Sequence, residues 1–206
     1  MVNFRKMPWK IDLILVLLSY MELATMDFRH YIILIHALAA AAGLGTVLLT
    51  DYLLIHFIKS GRISEQQVAV MKRVSKFIWI SLIVLALSGI YLALTKAGLG
   101  HSSKFLVKVV AVCVLTINGV FLNVFITPRM ARIAFKSGAE QPGDEPDKIR
   151  KIAMAAGGIS AFSWILAFLL GKMKAIPISF SEGLTLYLGI LVLIVLVVSL
   201  SKKPKA

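Results

Sequence analysis

Residues His30–Phe57 read HYIILIHALAAAAGLGTVLLTDYLLIHF, and away from its ends the run holds only His36 and Asp51 as ionisable groups. As an α-helix at ~1.5 Å per residue it would reach about 42 Å, more than the ~30 Å hydrocarbon core of a bilayer. The stretch therefore predicts a transmembrane helix, tilted or protruding, that carries a histidine. At ~100° per residue, Gly43 and Thr50 project within about 40° of His36, with Ala40 close by. Small residues on that stripe let a second helix or a flat ligand approach the backbone, which turns His36 inward. Ile32, Ile33, Leu38, Leu44 and Leu48 are left to meet lipid or neighbouring helices.

Composition extends this reading to the whole chain. With 59% hydrophobic residues and only 16% charged ones, the 206 residues exclude an ordinary soluble domain. The expected fold is all-α: one polytopic bundle of transmembrane helices, residues 1–206, without a separate soluble domain. Cys113 is the single cysteine, so an intrachain disulfide is excluded. The net charge of +13 accompanies no basic, aromatic-interleaved nucleic-acid motif. Membrane orientation accounts for it instead, and lipid is the chain's constant partner.

Six spans are expected, at about 11–26, 31–57, 77–95, 105–126, 152–171 and 184–200. With both termini in the cytoplasm, the inner segments hold seventeen Lys and Arg and the outer segments five, a strong positive-inside bias. The first segment is short and contains Glu22. It reads as a short span, as an interfacial helix or misassigned start, or as a signal peptide, and if it does not cross, five spans remain with the N-terminus outside. Loops 59–76 and 128–151 face the cytoplasm. Ser64 and Gln67 form a capping pattern that starts a helix near Glu65, and a helix restarts near Pro146 after KSGAEQPGDEPDKIRK.

Chemistry in such a chain is sought among polar groups inside the spans, where an unpaired charge costs several kcal/mol. These are Glu22, His36, Asp51 and Lys108, with Asn118 and Asn123. In the six-span topology Glu22, His36 and Lys108 share the outer half of the bundle, and Gly119 and Asn123 project near the Lys108 side of their helix. Each also has a plainer role: Lys108 snorkels to the interface, Glu22 and Asp51 mark helix ends, and the asparagines join helices. Trp164, on one face with Gly157, Ser160 and Gly171, is a candidate wall for the site.

His36 with its small-residue stripe, SGIYL at Ser88–Leu92, FLVKVV around Lys108, and the pair Asn118–Gly119 together resemble the superfamily of small helical membrane proteins that includes CopD-like copper-resistance proteins and HemJ-like protoporphyrinogen oxidases. The similarity covers about Tyr31–Arg129. The chain departs from it at LLTDYLLIHF, where HemJ-like proteins carry an aromatic and Leu-Pro-Arg pattern, so a distant member of the group is implied. The resemblance implies haem b or a metal near His36 and Lys108 in a bacterial plasma membrane protein.

A neutral imidazole is a good ligand for haem iron, and Lys108 would be either a second ligand or a propionate's counter-charge. Ala39, Ala40 and Gly43 would give the macrocycle its slot. An electron-transfer or oxidoreductase role follows, with a membrane redox partner, and a homo-oligomer is compatible with the sequence. The copper alternative would join His36 to thioethers from Met21, Met26 and Met173. A small transporter or structural protein without a cofactor is the third reading.

Overall fold

Apolar chain in lipid has to satisfy its backbone hydrogen bonds within itself, and each element here is a helix. The computed structural model describes residues 8–59, 65–95, 102–130, 145–173 and 177–201. Its helices are α1 (Pro8–Lys59), α2 (Glu65–Thr95), α3 (Ser103–Phe121), α4 (Glu145–Lys172) and α5 (Phe180–Leu200). A π-turn at Leu122–Ile126 prolongs α3 to Met130. No strand occurs among the described residues. Five stretches are long and apolar enough to cross a bilayer: Phe28–His56, Ala69–Thr95, Ser103–Met130, Lys148–Lys172 and Phe180–Leu200. The chain is a multi-pass membrane protein.

Helix α1 decides between the two span counts. It runs unbroken for 52 residues, about 78 Å at ~1.5 Å per residue. Six spans require a reversal between residues 26 and 31, and there is none. The sequence MELATMDFRH contains neither Gly nor Pro, so nothing in it interrupts the hydrogen-bond ladder. Segments 11–26 and 31–57 are one rod, and the five-span alternative describes the fold. Ile14, Leu15, Leu17, Leu18 and Tyr20 are exposed around the rod's first turns.

Local chemistry sets two of the helix starts. Ser102 caps α3, its hydroxyl accepting from Phe105 N at 3.3 Å. Ser179 and Glu182 form a reciprocal capping box at the start of α5: Glu182 N donates to Ser179 Oγ at 3.3 Å, and Ser179 N to Glu182 Oε2 at 2.8 Å.

α1 packs antiparallel on α2 and α4, α3 packs on α4, and α5 lies against α3 and α4. Two cores form along the bundle. One, near Asp51, joins Leu54, Ile126, Met130, Ile149 and Ala153. The other, in the middle, joins Ala39, Val47, Leu82, Leu85, Leu115 and Trp164. Leu38, Leu48, Ile83 and Leu196 are exposed on the outside, as an apolar solvent permits.

Polar bonds pin the helices together at defined levels. Ser75 Oγ donates to Asn123 Oδ1 at 3.0 Å, Asn118 Nδ2 to Ala156 O at 2.8 Å, and Lys151 Nζ to Ser199 O at 2.8 Å. Ser163 and Tyr187, both buried, pair their hydroxyls at 2.8 Å. The Trp79 ring lies over Gly119, 3.3 Å from where a Cβ would stand. Helices α2 and α3 are thus joined from Ser75 and Asn123 up to Leu82 and Leu115. Beyond that level α1, α2, α3 and α4 together line a cavity.

Candidate functional site

The cavity measures about 580 Å³, within the ~300–1,000 Å³ usual for small-molecule sites. Four helices build it: α1 supplies His36 and Ala40, α2 Gly89, α3 Lys108, and α4 Trp164 and Gly171. His36, Ala40, Lys108 and Trp164 were the candidates from the sequence that the fold brings to one place. The walls are otherwise apolar or small. Their ionisable groups are His36, Lys104, Lys108, Lys172 and Cys113, with no carboxylate among the described lining residues.

The position of His36 on α1 is matched by two residues of α2. Gly89 leaves room for the ring: a Cβ there would stand 3.4 Å from His36 Cε1. Ser88 fixes its chemistry. The Ser88 hydroxyl lies 2.5 Å from Val84 O and 3.2 Å from Leu85 O, and an oxygen that close to a carbonyl must be donating to it. The single hydroxyl proton is therefore committed to the backbone, and Oγ meets His36 Nδ1 at 2.8 Å as an acceptor. Nδ1 carries the proton, which leaves the neutral ring's Nε2 with a free lone pair.

Lys108 Nζ sits beside Gly171, 3.7 Å from where a Cβ would be. Lys104 donates to Met173 O at 2.5 Å, and Lys172 Nζ lies 5.8 Å from the Phe168 ring centroid. Three ammonium groups thus border the same end of the cavity. At the other end Trp164, 1% exposed, closes the floor within the middle core.

Several expected site residues lie elsewhere. Gly43 gives no slot to a macrocycle: a Cβ on it would overlap the Trp164 ring, so the notch already holds an indole. Asn123 is at the far end of α3, bonded to Ser75, away from the cavity. Asp51 lies eight residues beyond Gly43 toward that far end, its Oδ1 2.8 Å from the position of a Gly157 Cβ. The side chains of Glu22 and Met26, and His101, are outside the described residues. Met21 and Met173 are exposed and do not line the cavity. Ser88 and Gly89 belong to the SGIYL motif, yet their part in holding His36 was missed. A Ser-Gly pair within an apolar span is the signal that marks them.

The donor set suits a porphyrin better than a bare metal ion. Among the described residues no three His, Cys, Asp or Glu side chains gather to hold a metal. One imidazole with a free Nε2, walls of Ala and Gly, and ammonium groups at one end match what haem asks of a protein: an axial nitrogen, apolar faces and partners for two carboxylates. In comparisons with protein-family models, curated proteins and solved structures, nothing matches this chain.

Proposed function

We propose that this membrane protein holds haem b in the cavity between α1, α2, α3 and α4, and serves a redox or electron-transfer role. The observation that carries the reading is the His36–Ser88 bond: it presents an unprotonated Nε2 on an imidazole that lines an apolar cavity large enough for a cofactor. His36 would be the axial ligand, and Ser88 would hold the ring in the ligating tautomer, as outer partners of metal-bound histidines do. Lys108, with Lys104 and Lys172 nearby, would pair with the propionates. Trp164 and Leu85 keep water from the floor of the site. Haem, when bound, supplies one-electron chemistry; the chain's part is ligation, orientation and a dry surround.

Distant kinship with the CopD-like and HemJ-like proteins is part of the same proposal. It is supported by the placement of Ser88, Gly89 and Lys108, all from the shared motifs, around His36. Copper bound by His36 with thioethers has no comparable support, because Met21 and Met173 stand outside the cavity. The orientation follows from the positive-inside rule: the basic segments 59–76 and 129–151 lie at the Asp51 end, which would face the cytoplasm of a bacterium, with the haem site toward the outer face. Five spans then leave the start of α1 outside and the end of α5 inside, in place of two cytoplasmic ends.

The test is the absorption spectrum of protein purified in mild detergent. A Soret band in wild type that His36→Ala abolishes is the expected result. Colourless wild-type protein overturns the haem reading and favours a transporter or structural role.

A further inference from the structure

The cavity is not closed on all sides. Trp164, Ala167 and Leu170 of α4 line it and are buried, so the α4 wall is closed as far as Leu170, beyond which Gly171 and Lys172 stand exposed at the outer end. Ile90 and Leu94 of α2 and Val109 and Cys113 of α3 line it as well, yet they are exposed on the outside of the bundle, Leu94 by 82%. A residue that faces both a cavity and the outer surface stands at an opening. This one is bordered by the outer halves of α2 and α3, within the spans Ala69–Thr95 and Ser103–Met130. It opens on the lipid phase.

Charge selects what passes through. A cavity walled by apolar groups and bordered by three ammonium groups, with no carboxylate among its described lining residues, is complementary to an apolar body that ends in an acid. Lys108 sharpens the argument, because among the described residues its ammonium has no hydrogen bond or carboxylate partner. A membrane-embedded ammonium without a counter-charge is costly, and an incoming carboxylate would offset that cost.

We propose that the outer halves of α2 and α3 form a side opening from the bilayer, and that it admits a membrane-dissolved hydrophobic carboxylic acid whose carboxylate stops at Lys108. This rests on the cavity being a ligand site. It deepens the haem reading, since haem b is itself such an acid, but it does not depend on iron.

The test uses the full chain in phospholipid vesicles containing palmitic acid with a photoreactive diazirine in its tail, or the matching alcohol. Wild type and His36→Ala are both labelled, the second because it leaves the cavity free where the first holds haem. Crosslinks to Trp164 or Ala167 from the acid, at least tenfold above those from the alcohol in at least one of the two proteins, are expected. Lys108→Gln should bring the acid down to the alcohol's level, and Lys108→Arg should restore it, which separates loss of charge from loss of fold.

Alkylating Cys113 with N-cyclohexylmaleimide should block labelling of this back wall, and Cys113→Ala protein given the same reagent should be labelled normally. Equal labelling by acid and alcohol, or indifference to Lys108→Gln, overturns the ligand class. Labelling that survives alkylation of Cys113 overturns the side opening and points to loading from water. A missing Soret band in wild type leaves all these arms intact and fails the haem reading alone.

Discussion

The Ser88 hydroxyl has one proton to give, and because its own helix takes it, the ring on a different helix must give rather than receive. Replacing Ser88 by Ala removes that acceptor, so the two tautomers of His36 compete. Under the haem proposal, affinity is expected to fall about tenfold without being lost, measured by absorbance titration of haem into the purified protein. Two glycines on the α1–α4 seam make a second test. Gly43→Ala drives a methyl into the Trp164 ring, which is locked in the core, and should cost about 1–3 kcal/mol. Gly157→Ala meets only the free end of the Asp51 carboxyl and should cost under about 1 kcal/mol. Equal losses in detergent unfolding of the two variants would contradict this. At this scale the sequence was informative about position and poor about partners. Helical periodicity put His36, Ala40 and Lys108 on inward faces, because an angle along one helix is fixed by geometry. It said that something approaches Gly43 closely, but which neighbour fills a small-residue notch depends on tertiary packing, and an indole took the place foreseen for a macrocycle.

Between helices, a few polar pairs set the register that lipid-like surfaces leave loose. Tyr187 and Ser163 join α5 to α4; Ser163 Oγ already donates to Ile159 O at 2.7 Å, so the phenol is the donor in the pair. Tyr187→Phe should therefore lower stability by about 0.6–1.7 kcal/mol in steric-trap or denaturant unfolding, the range of hydrogen bonds within membranes. Glu182→Gln at the capping box should cost less than Tyr187→Phe in the same assay, since an amide oxygen still accepts from Ser179 N. The SFSE start of α5 was visible in the sequence as a Ser-x-x-Glu pattern, yet hydropathy alone drew the boundary at residue 184. The union of two apolar segments in α1 was less accessible. Six spans gave the better charge count, and the opposing evidence was an absence, ten residues without a helix breaker. The π-turn after Phe121 has no sequence mark of its own; Thr127 Oγ1 bonding Leu122 O at 3.0 Å shows only in the folded chain.

Taken whole, the molecule has two polar stations on one seam. His36 stands near one end, Asp51 near the other, and the indole of Trp164 lies between them, packed into Gly43 with 1% of its surface exposed. Truncating it would cost about 3–5 kcal/mol of packing and leave a void continuous with the cavity. The larger effect would be electrical. A membrane that stores a proton gradient tolerates no chain of water from face to face, and here the middle core around Trp164 separates the two polar stations. Vesicles carrying Trp164→Ala and loaded with a pH-sensitive dye should lose an imposed gradient faster than wild-type vesicles, whereas Trp164→Phe should hold it. The ring that floors a binding site would then also be the insulator that lets such a site exist in an energised membrane.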